Sequence, residues 1–173
     1  MVLATPAEAA IWFLPFAVVI GLYAAWVDFR IMKIPNRVVD ALFAVFAIVG
    51  FFVLPLDEYM WRWLHFVVVL VIGFVLAQTP ILGAGDAKMM AVMAPYIAWA
   101  DTSEFLMLFF FMVPVIYVLH MIVRAIPGIS KAAPNTLSLS KEKRTKFPMG
   151  VALGPLLIAY LTLAAFPGLF PSG

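Results

Sequence analysis

Six long apolar stretches constrain this chain more than any other feature. They cover approximately residues 8–27, 38–56, 61–81, 87–103, 104–124 and 147–170. Most of them approach the ~20 residues that a helix needs to cross a bilayer. Because lipid offers no hydrogen-bond partners, the backbone groups of each stretch must be bonded within it, so we interpret each as a helix. We therefore predict an all-α polytopic membrane protein with about six transmembrane helices.

The overall composition agrees with this prediction. Hydrophobic residues make up 66% of the chain and charged residues 12%, whereas soluble globular proteins have shares nearer to half and a quarter. No internal repeat divides the sequence, so residues 1–173 are expected to form a single membrane-embedded domain. The polar segment 125–146, rich in Pro, Ser and Lys, is expected to be a mobile loop beside anionic lipid headgroups.

The basic residues predict how the helices are oriented. If the N-terminus lies outside, the inner loops 28–37, 82–88 and 124–146 hold ten of the eleven basic residues. These ten are Arg30, Lys33, Arg37, Lys88, Arg124, Lys131, Lys141, Lys143, Arg144 and Lys146. Only Arg62 falls in an outer segment. Because basic loops favour the cytoplasmic side, both termini are expected to lie outside.

Several kinds of site are disfavoured by what the sequence lacks. The chain has no cysteine, which excludes disulfides, thiol catalysis and thiolate–zinc sites. Its two histidines, His65 and His120, form no H-E-x-x-H motif, and structural roles are expected for both. No serine lies well inside a predicted span. The net charge of +2 does not point to nucleic acid. We expect neither a metal nor a cofactor.

Two carboxylates remain as candidates for chemistry. Asp28 ends the first apolar stretch, in "YAAWVDFRIMKIPN", and Asp86 begins the fourth, after "LGAG". The first helix runs inward and the fourth runs outward, so both acids are expected at the same membrane face. Two carboxylates that lie close together share one proton. The ionised member can activate water while the protonated member polarises a peptide carbonyl, which is the chemistry of aspartic proteases.

The glycine turn before Asp86 suggests how this acid is positioned. Gly83 and Gly85 lack a Cβ, so the backbone can turn sharply there, and Gly85 is a candidate for positive φ. The helix start favours a carboxylate at Asp86. Residues 87–100 would rise only ~21 Å, short of a ~30 Å bilayer core. Either this helix extends to about Ser103, or the turn dips below the headgroups. Lys88 is expected to snorkel to the interface.

Together these motifs resemble those of the prepilin peptidases, membrane aspartic proteases of the GxGD type. The resemblance rests on "GAGD" followed by "AKMMA", on the preceding "DFRIMKIPN", and on "FPMGVALGP", and it spans residues from about 20 to 156. It implies that Asp28 and Asp86 are the catalytic pair. It also implies supporting turns at Ile34, Pro35, Asn36, Gly83 and Gly85, and an approach to the active site at Pro148 and Gly150.

The resemblance is to the short form of the family. Large members carry paired C-x-x-C motifs tied to methyltransferase activity, which this Cys-free chain is not expected to have. It is similar to the tight-adherence (Flp-type) pilus enzymes, and archaeal preflagellin peptidases share the catalytic pattern. The implied location is the bacterial cytoplasmic membrane. The implied partners are membrane lipids and a prepilin or pilin-like substrate with a hydrophobic N-terminal helix.

Two other readings of the acid pair stay open at this point. A small proton-coupled membrane transporter could use the same acids as a relay, although that function favours acids near mid-bilayer and broken helices in matching halves. A non-catalytic assembly subunit would tolerate the loss of either Asp. The resemblance favours the endopeptidase, which removes the N-terminal leader at the cytoplasmic face.

Overall fold

The computed structural model describes residues 3–79, 82–126, 128–129, 136–139 and 147–169. Across these ranges the chain forms six α-helices of ten or more residues and no β-strand, which confirms the all-α prediction. The helices are α1 (Ala7–Ile31), α2 (Asn36–Val53), α3 (Leu56–Leu76), α4 (Ala84–Met93), α5 (Thr102–Ala125) and α6 (Gly150–Ala165). Most of the loop predicted to be mobile, 125–146, lies outside the described residues.

Prolines and one left-handed residue separate the first three helices. Pro35 and Pro55 directly precede α2 and α3, because proline supplies the fixed φ of a helix start and cannot continue a preceding helix. The first helix ends at Met32, whose φ of 53° is left-handed. Its N–H donates to the Asp28 carbonyl at 2.8 Å, which closes the last turn. The chain therefore reverses within the short segment 32–35.

The centre of the molecule is the packing of α1 against α6. Ala10, Phe13 and Ala17 of α1 are buried in the same core as Leu153 and Leu157 of α6. Small residues allow two helices within a bilayer to approach closely. This packing holds α1, which ends in the "DFRIMKIPN" motif, beside α6, which begins in the "FPMGVALGP" motif.

Two glycines make this approach possible. A Cβ built on Gly154 would overlap the carbonyl oxygen of Gly21, and one built on Gly21 would lie 3.1 Å from the Gly154 carbonyl oxygen. Any side chain at Gly154 therefore forces the backbones of α1 and α6 apart. The sequence alone gave no reason to single out either glycine.

The fourth apolar stretch is not one continuous helix. After α4 the chain forms a 3-10 turn at Ala94–Tyr96, an extended link, and a second 3-10 turn at Trp99–Asp101. Of the two alternatives left open for this helix, its extension to about Ser103 is wrong, since Ser103 belongs to α5. Pro95 lacks an N–H and cannot bond the carbonyl four residues earlier. Because Pro15, Pro114 and Pro155 lie inside helices that continue past them, the break at Pro95 also depends on the contacts of the residues around it.

Arg62 satisfies the backbone groups that this break exposes. Its side chain is 2% exposed, and its guanidinium donates to the carbonyls of Tyr96 at 3.0 Å and Pro95 at 3.3 Å. It is also paired with Glu58 of the same helix. Non-helical backbone at membrane depth is tolerated where protein groups replace the missing hydrogen bonds. The one basic residue that departs from the charge bias is thus part of the interior.

Asp101 forms the other half of this polar cluster. Its carboxylate accepts hydrogen bonds from the N–H groups of Ala4 at 2.6 Å and Thr5 at 2.9 Å, and from the Tyr160 hydroxyl at 2.7 Å. These contacts tie the segment before α1 and the last turns of α6 to the end of the broken fourth segment. The cluster therefore holds together the end of the bundle opposite Asp28.

We expect Arg62→Met to destabilise the protein without touching the Asp28 end. The substitution removes the donors to two buried carbonyls, and each buried carbonyl left without a partner costs about 1–3 kcal/mol. Thermal unfolding in detergent should show a clear decrease in Tm. Arg37→Met, at an exposed position of α2, is the matched control. Equal melting temperatures for the two variants would contradict this role for Arg62.

Candidate active site

Three helix ends surround one open cavity of about 810 Å³. Asp28 from the end of α1 and Asp86 from the start of α4 both line it, together with Pro148, which precedes α6. The structure therefore brings together the two acids that stood out in the sequence. The cavity lies at the end of the bundle opposite the Arg62 and Asp101 cluster.

Asp28 contacts the N-terminus of α6. Its side chain is buried, at 4% exposure, and its Oδ2 accepts the Gly150 N–H at 2.8 Å. The backbone of Val151 is a second hydrogen-bond partner. The first N–H groups of a helix have no partners within the helix and carry its positive dipole end. Asp28 therefore supplies the cap for α6, although it belongs to α1.

A side chain at Gly150 would crowd the Asp28 side chain. A Cβ built on Gly150 would lie 3.0 Å from both the Cβ and the Oδ2 of Asp28, closer than ordinary packing allows. Pro148 is buried and lies two residues before the start of α6. The sequence singled out Pro148 and Gly150 only through the resemblance. The structure places Gly150 in contact with Asp28, and Pro148 lines the same cavity as Asp28.

Asp86 is the third residue of α4 and is half-buried. The Gly83 N–H, at the N-cap position, bonds back to its carboxylate, as the third residue of a capping box does. Burial and, second, the neighbouring Asp28 charge raise the pKa of Asp86 to about 6, against the opposing effect of the Gly83 N–H. These two effects outweigh the helix start, which was expected to favour the ionised carboxylate of Asp86.

The two glycines of the turn have different roles. A Cβ on Gly83 would lie 2.6 Å from Asp86 Oδ2, whereas a Cβ on Gly85 would lie 3.6 Å from its nearest neighbour, Ile34 Cβ. The idea that Gly85 adopts positive φ is wrong, because Gly85 is already helical. The extended conformation of Gly83, with φ −72° and ψ 143°, makes the turn by itself. Gly83, rather than Gly85, leaves space for the acid.

The turn after α1 contacts the turn before α4. Ile34 lies against Gly85, and the Lys88 Nζ donates to Asn36 Oδ1 at 3.4 Å. Pro35 sits between them as the N-cap of α2. Lys88, predicted to be an interface anchor, thus also has a partner within the protein. These contacts connect the segments that carry Asp28 and Asp86.

Comparison with known families decides the identity. Residues 15–122 match the model of the type IV leader peptidase family. The chain belongs to the type IV leader peptidase family. Searches among curated proteins and among solved structures found no match.

Membership in the leader peptidase family confirms several expectations. It identifies the chain as a peptidase with a leader peptidase-like role and implies pilin-type substrates. In the described part of the chain, four helices are long and apolar enough to cross a bilayer: α1, α2, α3 and one that comprises the second 3-10 turn and α5. Together with family membership they confirm an all-α polytopic membrane protein. The matched range contains both Asp28 and Asp86, whereas α6 lies beyond it.

Sequence reasoning missed Met32 at the site of this leader peptidase family member, and it named His120 without its contacts. Met32 lines the cavity, and its left-handed backbone is unusual for a residue with a Cβ. His120 is buried, with its ring edge-on to Phe29 and Phe147 at centroid distances of 5.9 and 5.7 Å. Nothing in the local sequence pattern indicates either contact, because both depend on how distant segments meet.

The described part of the chain holds no group of three His, Asp or Glu side chains arranged to bind a metal ion. His65, at the opposite end from the acids, lies with Nδ1 3.3 Å from the Ile97 carbonyl oxygen and with its ring against Trp99. The polar side chains that line the cavity are those of Asp28, Asp86, Lys33, Lys88, Asn36 and Thr79.

Proposed function

We propose that this protein is a membrane aspartic endopeptidase that removes the N-terminal leader of prepilins or pilin-like proteins. The observation that carries the proposal is the opening of the Asp28 and Asp86 side chains into one cavity. Family membership supports a peptidase, and the acid pair supplies a mechanism by which a peptidase of this family cuts.

In the proposed reaction the pair holds one proton. We assign that proton to Asp86 in the free enzyme because its pKa is raised to about 6, whereas Asp28 accepts the Gly150 N–H. Asp28 takes a proton from a water molecule as the water oxygen attacks the peptide carbonyl carbon. Asp86 gives its proton to the carbonyl oxygen, forming a tetrahedral diol.

Collapse of this intermediate breaks the C–N bond. The proton held by Asp28 passes to the leaving nitrogen, and a hydroxyl proton of the intermediate returns to Asp86. The products are a new carboxyl group on the leader and a new N-terminal amine on the mature protein, so atoms and protons balance with water as the only co-reactant. The Gly150 N–H keeps Asp28 in place throughout, which avoids reorganisation during the reaction.

The proposed orientation places the cavity at the cytoplasmic face of a bacterial inner membrane. Lys33 and Lys88 line the cavity, and the segments around it carry most of the basic residues, which favour the cytoplasmic side. Both termini then lie outside. A substrate helix can remain in the membrane while its leader junction reaches the acids from the cytoplasmic side.

Proton sharing predicts a pH dependence. Because Asp86 must be protonated at the start, kcat/KM should decrease as the pH rises through about 6, approaching a tenfold loss for each further pH unit. The check is kcat/KM for a purified prepilin substrate in detergent across the range from about pH 5 to about pH 8. A value that stays constant or increases over that range would contradict the assignment of the proton to Asp86.

A further inference from the structure

Helix α5 contributes one fully buried side chain to the protein, and that side chain is a histidine. Of the 24 residues of α5, His120 alone is buried, at 5% exposure. It does not line the acid cavity, and the proposed reaction does not use it. A polar side chain buried on an apolar membrane helix is costly, so its presence calls for a specific contact.

The ring of His120 contacts the two segments that meet at Asp28. It lies edge-on to Phe29, the residue after Asp28, with 5.9 Å between ring centroids. It also lies edge-on to Phe147, three residues before Gly150, at 5.7 Å. The Gly150 N–H is the group that donates to Asp28. His120 therefore bridges the two segments whose relative position sets this hydrogen bond.

A polar contact on a third side comes from the inner segment that follows α5. There the 3-10 turn Leu137–Leu139 packs against α1. Ser138 is fully buried in this turn, and its backbone lies close enough to act on the His120 ring. His120 thus lies between this turn and the Asp28 site.

The polar atoms at this contact give a reason for a histidine rather than an apolar residue. Both ring nitrogens of His120 and the hydroxyl of Ser138 are buried, and none of them has a hydrogen-bond partner elsewhere among the described residues. A buried polar group without a partner is destabilising, so His120 and Ser138 are the partners that each has available. Phenylalanine would keep the two ring contacts and lose this polar one.

We propose that His120 is a positioning residue that holds Asp28 in place by joining the turn at Ser138 to the two segments that its ring contacts. It acts through the Gly150 N–H, because Phe147 leads directly into α6. The proposal rests on the proposed function, in which Asp28 is the base. When the turn is released from His120, the Phe147 segment loses its support and the hydrogen bond to Asp28 weakens.

Two substitutions separate the polar contact from the ring packing. His120→Phe keeps the ring, whereas His120→Asn keeps a polar amide. We expect His120→Phe to lower kcat ~10-fold, because the base is displaced, while KM stays within about twofold because substrate binding is unchanged. His120→Asn should keep most of the wild-type kcat. Leu119→Phe, at an adjacent position that is 53% exposed, is the control and should match wild type. The readout is kcat and KM for a purified prepilin in detergent.

A second measurement follows the turn without any cleavage. Because the chain has no cysteine, a single one can be introduced by Ser138→Cys, where the side chain is 0% exposed, or by Leu137→Cys, where it is 41% exposed. A thiol reagent should label position 138 much more slowly than position 137. Adding His120→Phe should speed labelling at position 138 by ~10-fold, since the turn then opens more often. Adding His120→Asn should not, and position 137 should be labelled rapidly in every background.

Three outcomes would overturn the positioning role. A wild-type kcat in His120→Phe together with a loss in His120→Asn would mean that His120 only packs its ring. Faster labelling at position 138 without a fall in kcat would separate the turn from Asp28. A raised KM with unchanged kcat would place His120 in substrate binding. A failure of the proposed function differs from all three, because the wild type then releases no leader while labelling still reports whether His120 holds the turn.

Discussion

Asp28→Asn and Asp86→Asn should each abolish leader cleavage while the protein still inserts into the membrane. Asparagine keeps the size and polarity of the side chain, and at position 28 its amide oxygen can still accept the Gly150 N–H that Asp28 Oδ2 accepts at 2.8 Å. An asparagine side chain can neither take up nor release the shared proton. Because members of a catalytic unit act together, we expect each single loss to reach ~1,000-fold or more, and the double variant to be hardly worse.

The measurement is the mobility shift of a co-expressed prepilin, followed by initial rates with purified enzyme. Asp40→Asn is the matched control, since Asp40 is an exposed acid of α2 and should tolerate the change. Substantial leader release by either Asp28→Asn or Asp86→Asn would exclude the aspartic mechanism.

The sequence was sufficient to predict the helical segments because the bilayer limits the choice. Apolar stretches of about 20 residues leave the backbone no alternative to helix, so α1, α2, α3 and α5 begin and end within a few residues of the expected bounds. The fourth segment failed because its apolar length says nothing about Pro95. Proline alone does not predict the break, since Pro15, Pro114 and Pro155 lie inside continuous helices. The break at Pro95 is stabilised by Arg62, which is distant in sequence and donates to the exposed carbonyls.

The acids themselves were visible in the sequence, but their surroundings were not. Asp28 and Asp86 stood out because charge is rare in this chain. The capping of α6 by Asp28 could not be read from local pattern, since Gly150 is separated from Asp28 by 122 positions. The close approach of Gly21 and Gly154 also joins distant positions and could not be read from the local sequence. Long-range contacts of this kind depend on packing, which hydropathy does not encode.

The structure also changes the reason for the glycine turn. The sequence suggested that Gly85 is needed for its backbone freedom, but the helical geometry at Gly85 is open to any residue. The critical feature is the space above Gly83, into which the Asp86 carboxylate folds to reach the Gly83 N–H. Gly83 therefore leaves space for the Asp86 carboxylate, whereas Gly85 packs against Ile34 in the turn after α1.

This difference leads to opposite expectations for the same substitution at two positions. Gly83→Ala should lose activity by ~100-fold, because its Cβ would lie 2.6 Å from Asp86 Oδ2 and the carboxylate must move, and displacements near 1 Å have costs of that order. The part that moves is the end of a side chain, so the fold should be little affected. Gly85→Ala should stay close to wild-type activity, since its Cβ meets Ile34 at an ordinary 3.6 Å.

The two variants are to be compared for membrane accumulation, thermal unfolding in detergent and kcat for a prepilin substrate. Gly83→Ala should accumulate and unfold like wild type while its kcat falls. A shifted carboxylate also leaves the Gly83 N–H without its acceptor, so the pH dependence of kcat/KM should change in this variant and not in Gly85→Ala. Full activity in Gly83→Ala, or a greater loss in Gly85→Ala, would show that the space beside Asp86 does not control its position.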